Sequence, residues 1–241
     1  MHDTLDHLRR DPVHRRWHHA ELTFRQMYAN SERFLLALSH DEVVHGKGSL
    51  LSKMPGDDWQ QRATLRLLFA YQHLMQGKKL VFMGGEFGQR SEWNHDTQLE
   101  WELLEFEEHA QLLGWVTTLN ELHARCPALH QLDHDPRGFT WISCDDAANS
   151  VVAILRRGSD EVDDIVAVCN FTPAPHEGYR IGMPHPGAWE LLVSSDDMRF
   201  GGSGQRVPRV IDADGEPLHG FDQSAFVNAV PLGVVLYRRV R

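Results

Sequence analysis

The pattern of hydrophobic and polar positions changes once along this 241-residue chain, near residue 131. Before that point, two short apolar runs (34–38 and 79–83) each precede a long segment (59–75 and 107–125) in which apolar residues recur every three or four positions. That spacing is typical of amphipathic helices, and the apolar runs have the length of buried strands. The pattern therefore predicts a strand, helix, strand and helix with parallel strands, preceded by short helices over 3–10 and 21–29.

After residue 132, apolar and polar positions alternate in short segments separated by Gly, Pro, Asp and Asn. Alternation is typical of half-buried strands, and about seven of them at this spacing predict an antiparallel β-sandwich. The segments are 139–144, 151–156, 165–171, 179–181, 189–193, 225–230 and 234–240, with 199–220 interpreted as an excursion between strands. The predicted fold class is α/β plus all-β, with domains at 1–131 and 132–241.

Composition narrows the function classes. A chain with 41% hydrophobic and 24% charged residues is globular, and a net charge of -10 argues against a nucleic-acid partner, which needs a basic surface. The sequence has neither the apolar core of a signal peptide nor a run of about 18 apolar residues, so we expect no membrane association and a cytoplasmic location. Three dispersed cysteines suggest neither a disulfide framework nor a zinc site.

The candidate chemistry lies directly after the first apolar run. His40, Asp41, Glu42 and His45 crowd four ionisable side chains into six residues. Polar groups at the carboxyl end of a buried parallel strand are typical of an active site, although a solvated loop would have the same composition. The two histidines lack the helical spacing of a metalloprotease site and no cysteine is near, so no metal is predicted.

Five motifs in a fixed order resemble the 1,4-alpha-glucan (glycogen) branching enzymes of the alpha-amylase superfamily. They are found at residues 39–47, 54–57, 77–80, 82–89 and 92–96. The likeness extends from Met1 to the closing strands, and the predicted β-sandwich resembles the domain that follows the barrel in these enzymes.

The resemblance implies a retaining glycosyltransferase (hexosyltransferase) that cleaves alpha-1,4-glucan and transfers the chain to a 6-hydroxyl of glycogen, without a cofactor. It implies that residues 1–131 are the last two strand-helix units of a TIM-type (β/α)8 barrel, so the chain is a C-terminal fragment. A complete barrel needs about 250 residues, which this part cannot supply. The nucleophilic aspartate and the acid/base glutamate would be absent, the isolated chain inactive, and the missing N-terminal part its partner. The exposed edges of a partial barrel predict low solubility or association.

By the same resemblance, Asp41 matches the carboxylate that stabilises the transition state, and His40 the histidine that donates a hydrogen bond to the same sugar. Glu42, Glu86, Trp93 and Asn94 are candidate substrate-binding residues. We reject Glu42 as a substitute acid because adjacent residues on an extended segment point to opposite faces. Trp93 could stack on a sugar or simply pack in its loop, and Glu86 could be structural.

Two other functions stay open. One is a noncatalytic glucan-binding or assembly module. The other is a fragment of an amylase-type hydrolase or debranching enzyme, whose family shares the His-Asp signature but not the sequence around residues 43–47 and 92–96.

Overall fold

The computed structural model describes residues 1–240. Its first part contains five α-helices and two strands. They are α1 (His2–Arg9), α2 (Pro12–Arg15), α3 (Ala20–Thr23), β1 (Leu35–Leu38), α4 (Asp58–Leu74), β2 (Lys78–Val81) and α5 (Glu107–Arg125). The predicted strands and long helices are confirmed, but the helix predicted over 21–29 is divided into α3 and a 3₁₀ turn at Phe24–Met27.

Helix α4 starts at a capping box that the sequence encodes locally. The Asp57 carboxylate accepts a hydrogen bond from the Gln60 backbone N–H (2.8 Å), and the Gln60 side chain accepts one from the Asp57 N–H (3.1 Å). These bonds satisfy two of the backbone donors that a helix start leaves unpaired. The helix therefore begins at Asp57 and Asp58, directly before the residues whose apolar side chains recur at helical spacing.

Strands β1 and β2 pair in parallel, with Leu35 opposite Lys78 and Leu38 opposite Val81, and α4 forms the crossover between them. Leu36 and Leu38 are buried in the same cluster as the apolar face of α4, whereas Leu35 on the other face is 55% exposed. Gly77 has a φ of +117°, and a Cβ there would lie 2.8 Å from the Phe34 carbonyl oxygen, so the tight entry into β2 requires glycine. The predicted βαβ unit is confirmed.

The second part forms two antiparallel sheets. One has six strands in the order β3-β4-β5-β10-β7-β8, and the other pairs β6 with β9. The strands are β3 (Phe139–Ser143), β4 (Val151–Arg156), β5 (Ile165–Asn170), β6 (His176–Met183), β7 (Gly187–Ser194), β8 (Val210–Ala213), β9 (Gln223–Ala229) and β10 (Gly233–Arg239). The interpretation of 199–220 as an excursion is wrong at β8, whose four residues pair with β7.

The six-stranded sheet is the middle layer of the molecule. In β4, Val152 and Ile154 belong to the core cluster that contains α4, whereas Val151, Ala153 and Leu155 belong to the cluster that contains β6 and β9. Every residue of β4 is consequently buried. The two parts that the sequence separates near residue 131 thus share one hydrophobic core.

Buried arginines connect the same two parts. The Arg15 guanidinium, fully buried, donates to the carbonyl oxygens of Leu8 (2.8 Å) and Phe171 (2.7 Å). Arg156, also fully buried, donates to the Leu74 carbonyl oxygen (2.7 Å) and to Asp133 (2.9 Å). Burial lowers the pKa of Arg15 to about 10. Each arginine belongs to one part of the chain and donates to one backbone oxygen of the other.

Candidate functional site

The candidate residues lie on loops at the carboxyl ends of β1 and β2, which meet at one edge because the strands are parallel. Ser39 caps the turn after β1, since its hydroxyl accepts a hydrogen bond from the Asp41 N–H (3.3 Å). His40–Glu42 is a 3₁₀ turn rather than the extended segment on which the rejection of Glu42 was based. The local sequence thus bends the chain sharply where the strand ends.

His40 and Asp41 form an exposed pair at this edge, which we call the rim pair. His40 Nε2 lies 3.3 Å from Asp41 Oδ1, and the two side chains are 57% and 69% exposed. The Lys47 ammonium donates to the Asp41 carbonyl oxygen (2.5 Å), so the backbone rather than the carboxylate of Asp41 holds the loop. The carboxylate and the imidazole are free to meet the hydroxyls of a ligand.

Glu42 faces other groups. Its carboxylate lies 3.0 Å from His2 Nδ1 and is only 14% exposed. It lines a cavity of about 330 Å³ together with Arg9, Lys47 and Lys53. The structure therefore separates the contacts of Glu42 from those of the rim pair, through a contact with His2 of the N-terminal helix that sequence patterns do not reveal.

An aromatic chain brings Trp93 to the rim pair. The ring of His40 lies 5.8 Å from that of Phe82, and Phe82 lies 5.1 Å from Trp93 in a T-shaped contact. The backbone N–H of Trp93 donates to the Val43 carbonyl oxygen (3.0 Å). Trp93 is half-buried, so one part of its indole packs on the core cluster and another part faces solvent.

Glu92 is a residue of the site that sequence reasoning missed. Its two carboxylate oxygens accept hydrogen bonds from the N–H groups of Gly46 (3.0 Å) and Gly48 (2.6 Å), which joins the loop after β1 to the loop after β2. The two N–H donors lower the pKa of Glu92. The available signal was the pair of glycines, which the structure places at φ of +82° and +73°, in the left-handed region that favours glycine.

Asn94 and Glu86 lie apart from the rim pair. Asn94 is exposed and its side-chain oxygen accepts a hydrogen bond from the Asp96 N–H (2.9 Å). Glu86 is half-buried and lines a different cavity, of about 400 Å³, together with His73, Lys79 and Asn120. The structure therefore brings together His40, Asp41 and Trp93, while Glu86 and Glu42 have separate surroundings.

The rim is an open surface in this chain. The cavity beside it, lined by Ser49, Gly84 and Trp93, has a volume of about 10 Å³, which is too small for a sugar ring. Within residues 1–240 no group of three or more His, Cys, Asp and Glu side chains could hold a metal ion. Over the same residues, no helix is both long and apolar enough to cross a membrane. The arrangement places one carboxylate, one imidazole and one indole at the same edge.

Comparisons with known proteins agree with these motifs. Residues 141–240 match the family described as alpha amylase, C-terminal all-beta domain. The chain is 52% identical over 239 residues to the 1,4-alpha-glucan branching enzyme of Bordetella pertussis, covering 99% of this chain and 32% of that enzyme. It is 50% identical to the one of Marinobacter nauticus, covering 99% and 38%. Nearly the whole chain is therefore similar to a part of these glycogen branching enzymes.

The chain spans only about a third of the length of those branching enzymes. Solved structures of two pullulanases share the fold. The type I pullulanase of Bacillus subtilis complexed with maltose superposes with a TM-score of 0.62 at 17% identity, over 93% of this chain and 32% of that one. The apo pullulanase of Paenibacillus barengoltzii gives a TM-score of 0.55 at 18% identity, over 79% and 27%.

Proposed function

We propose that this chain forms the part of a glycogen branching enzyme that carries the transition-state stabiliser, Asp41, and the substrate-binding histidine, His40. The remaining parts of the alpha-1,4-glucan site would come from sequence that corresponds to the other two thirds of the relatives' length. The observation that carries the proposal is the exposed rim pair, which lies at the end of a parallel strand within the motif that resembles this family.

In this proposal, β1, α4, β2 and α5 are the last two units of a (β/α)8 barrel. The parallel register of β1 and β2 and the crossover through α4 support it. So does the exposure of Leu35 (55%) and Met83 (56%), apolar side chains on or beside these strands that further strands would cover. The partner implied is the polypeptide that completes the barrel.

The proposed chemistry is a retaining transglycosylation. In retaining enzymes two carboxyl groups about 5 to 5.5 Å apart act as nucleophile and acid/base, and no residue of this chain matches either position of the family pattern. Asp41 would accept hydrogen bonds from sugar hydroxyls next to the reacting carbon, and these bonds would strengthen as the ring flattens toward an oxocarbenium ion. Interactions that are stronger in the transition state than in the ground state are the ones that accelerate a reaction.

The other candidate residues have graded support. Trp93 would stack its solvent-facing part on a sugar, and Asn94 would donate a hydrogen bond from its exposed amide. Glu42 and Glu86 remain predictions with weaker support, since Glu42 contacts His2 and Glu86 lines another cavity. A cytoplasmic location is supported by three free cysteines, which suit a reducing compartment.

The proposal is tested in a chimera in which this chain replaces the 239 aligned residues of the Bordetella pertussis enzyme. We expect Asp41→Asn to lower kcat for branch formation on amylose by about 10²- to 10³-fold, the loss typical of one transition-state contact. Asp212→Asn, at an exposed position of β8, is the matched control and should keep full activity. Equal activity of the Asp41 variant and the control would refute the role of Asp41.

The isolated chain provides a second test. We expect no branch formation by the purified 241-residue protein, because both reacting carboxylates would come from elsewhere. Branch formation by this chain alone would overturn the proposal that the two reacting carboxylates come from another part of the enzyme.

A noncatalytic glucan-binding module is the second candidate, favoured by the open edge on which His40 and Trp93 are connected through Phe82. Affinity electrophoresis on glycogen distinguishes the two. A binding module would be retarded, and Trp93→Ala would abolish the retardation, whereas a chain that needs its complementary part would migrate as it does without glycogen.

A further inference from the structure

The main chain of Asp41 is hydrogen-bonded on both sides of its Cα atom. Its N–H donates to the Ser39 hydroxyl (3.3 Å), and its carbonyl oxygen accepts a hydrogen bond from the Lys47 ammonium (2.5 Å). Because peptide groups are planar, restraining the N–H and the carbonyl oxygen of one residue restrains its φ and ψ, and with them the direction of its Cα–Cβ bond. These two bonds therefore restrict where the exposed Asp41 carboxylate points.

The main chain around Lys47 is held in turn by two side chains from outside this loop. The Glu92 carboxylate accepts hydrogen bonds from the N–H groups of Gly46 (3.0 Å) and Gly48 (2.6 Å). The Lys53 ammonium donates to the carbonyl oxygens of Lys47 (2.5 Å) and Gly48 (2.8 Å). Four backbone groups of three consecutive residues thus have charged partners, and such charge-assisted hydrogen bonds are stronger than neutral ones.

The loop is also strained at one residue shortly before Lys47. His45 has a φ of +56°, in the left-handed region. A residue with a Cβ atom is uncommon in that region and persists only where its surroundings hold it. The bond from the next residue, Gly46, to Glu92 supplies part of that support.

We propose that Lys47 is a positioning residue, which orients the Asp41 carboxylate by holding the Asp41 carbonyl oxygen. This inference rests on the proposed function of Asp41 as the transition-state stabiliser. Because Lys53 and Glu92 hold the backbone from which the Lys47 side chain extends, its ammonium has a defined place relative to Asp41. Lys47 would then act on the reaction only through Asp41, without contacting the glucan.

Branch formation on amylose by the chimera with the Bordetella pertussis enzyme tests this role. Lys47→Met keeps the length of the side chain and removes its donor. We expect kcat to fall about tenfold, within the roughly 10²-fold that a misplacement of 1 Å can cost, and KM to stay within about twofold of wild type. Lys47→Arg keeps a cationic donor and should recover most of the loss. Arg209→Met, at an exposed position of the second part, is the control and should keep full activity.

The purified chain gives a readout that does not depend on activity. In Lys47→Met, the ¹⁵N order parameter of the Asp41 amide should fall from about 0.85, typical of a rigid backbone, to below about 0.6. Lys53→Met should change the order parameter and kcat in the same direction by a smaller factor. An unchanged order parameter in Lys47→Met would overturn the inference.

A double-mutant cycle with Asp41→Asn separates positioning from a direct role. If Lys47 acts through the Asp41 carboxylate, Lys47→Met should change kcat less than about twofold in the Asp41→Asn background. The full tenfold loss in that background would overturn the inference, and so would a raised KM with unchanged kcat, which would indicate direct contact with glucan. Full activity of Asp41→Asn would remove the proposed function and the inference together. A large loss in Asp41→Asn with full activity in Lys47→Met would remove only the inference.

Discussion

The rim of the βαβ unit and the junction between the two parts of the chain place charged residues in opposite surroundings. At the rim, His40 and Asp41 are 57% and 69% exposed and contact each other. At the junction, Arg15 and Arg156 are fully buried and donate to the backbone of the opposite part. The difference teaches that charged side chains stabilise this fold where they are buried and fully hydrogen-bonded, and are available to a ligand where they are not.

Removing a junction arginine should have the largest effect. We expect Arg156→Ala to lower the free energy of unfolding by about 3 to 5 kcal/mol, because it leaves the Asp133 carboxylate and the Leu74 carbonyl without their buried donor. Urea denaturation measures this. Arg137→Ala, which removes an exposed ion pair with Asp135, is the control and should leave the unfolding midpoint almost unchanged. A stable Arg156 variant would remove the contrast between junction and rim.

Acid should weaken the junction. The ring of His7 lies at the junction, 5.5 Å from that of Phe171. Burial lowers the pKa of His7 to about 3 from 6.5, so the unfolded state takes up a proton between pH 6.5 and 3 while the folded state does not. Stability from this group is therefore complete above pH 6.5 and falls as the pH is lowered toward 3, by about 1.4 kcal/mol per pH unit.

Thermal unfolding of wild type and His7→Gln over this pH range checks the expectation. The variant should show a flatter dependence on pH, because its side chain does not titrate. His40→Gln should change the free energy of unfolding little at any one pH, because that side chain is 57% exposed. Parallel curves for wild type and His7→Gln would show that His7 does not cause the acid sensitivity.

Trp93 tests how strongly the rim is connected to the core. We expect Trp93→Ala to cost about 1 kcal/mol of stability, since it removes a T-shaped contact with Phe82 from a half-buried position. The exposed neighbour Asn94 gives a control, in which Asn94→Ala should stay within about 0.5 kcal/mol of wild type. A cost several times larger for Trp93 would identify it as a core residue rather than a candidate sugar platform.

We expect the smallest effect from a substitution of Glu92, because it alters only the hydrogen bonds between two loops. The N–H groups of Gly48 and Gly46 lower its pKa, so the bonds are fully present above the ordinary pKa of a glutamate and are lost as the pH falls through the lowered value. Amide exchange of Gly46 and Gly48 should therefore be protected at neutral pH and unprotected in acid. Glu92→Gln should weaken the protection and remove its dependence on pH. Identical exchange in both proteins would show that the Glu92 carboxylate does not hold these two N–H groups.

The sequence by itself determined the elements of this fold. The spacing of apolar residues located the ends of β1, α4, β2 and α5 to within a few residues. This was possible because periodicity, helix capping and the glycines that end helices all depend on residues close together in the chain. Alternation placed the strands of the second part, except β8, whose four residues lie in a Gly-rich and polar stretch. Motif order indicated the family and directed attention to His40, Asp41 and Trp93.

Only the tertiary structure decided which side chains meet. Arg15 and Phe171 are 156 residues apart, and Gly46 and Glu92 are 46 apart, so no local pattern reports their hydrogen bonds. The burial of β4 on both faces follows from α4 packing on one side and β6 and β9 on the other, which alternation alone does not reveal. Local propensity fixes where helices and strands begin and end, whereas long-range packing fixes which of their polar groups are buried and which remain free for a ligand.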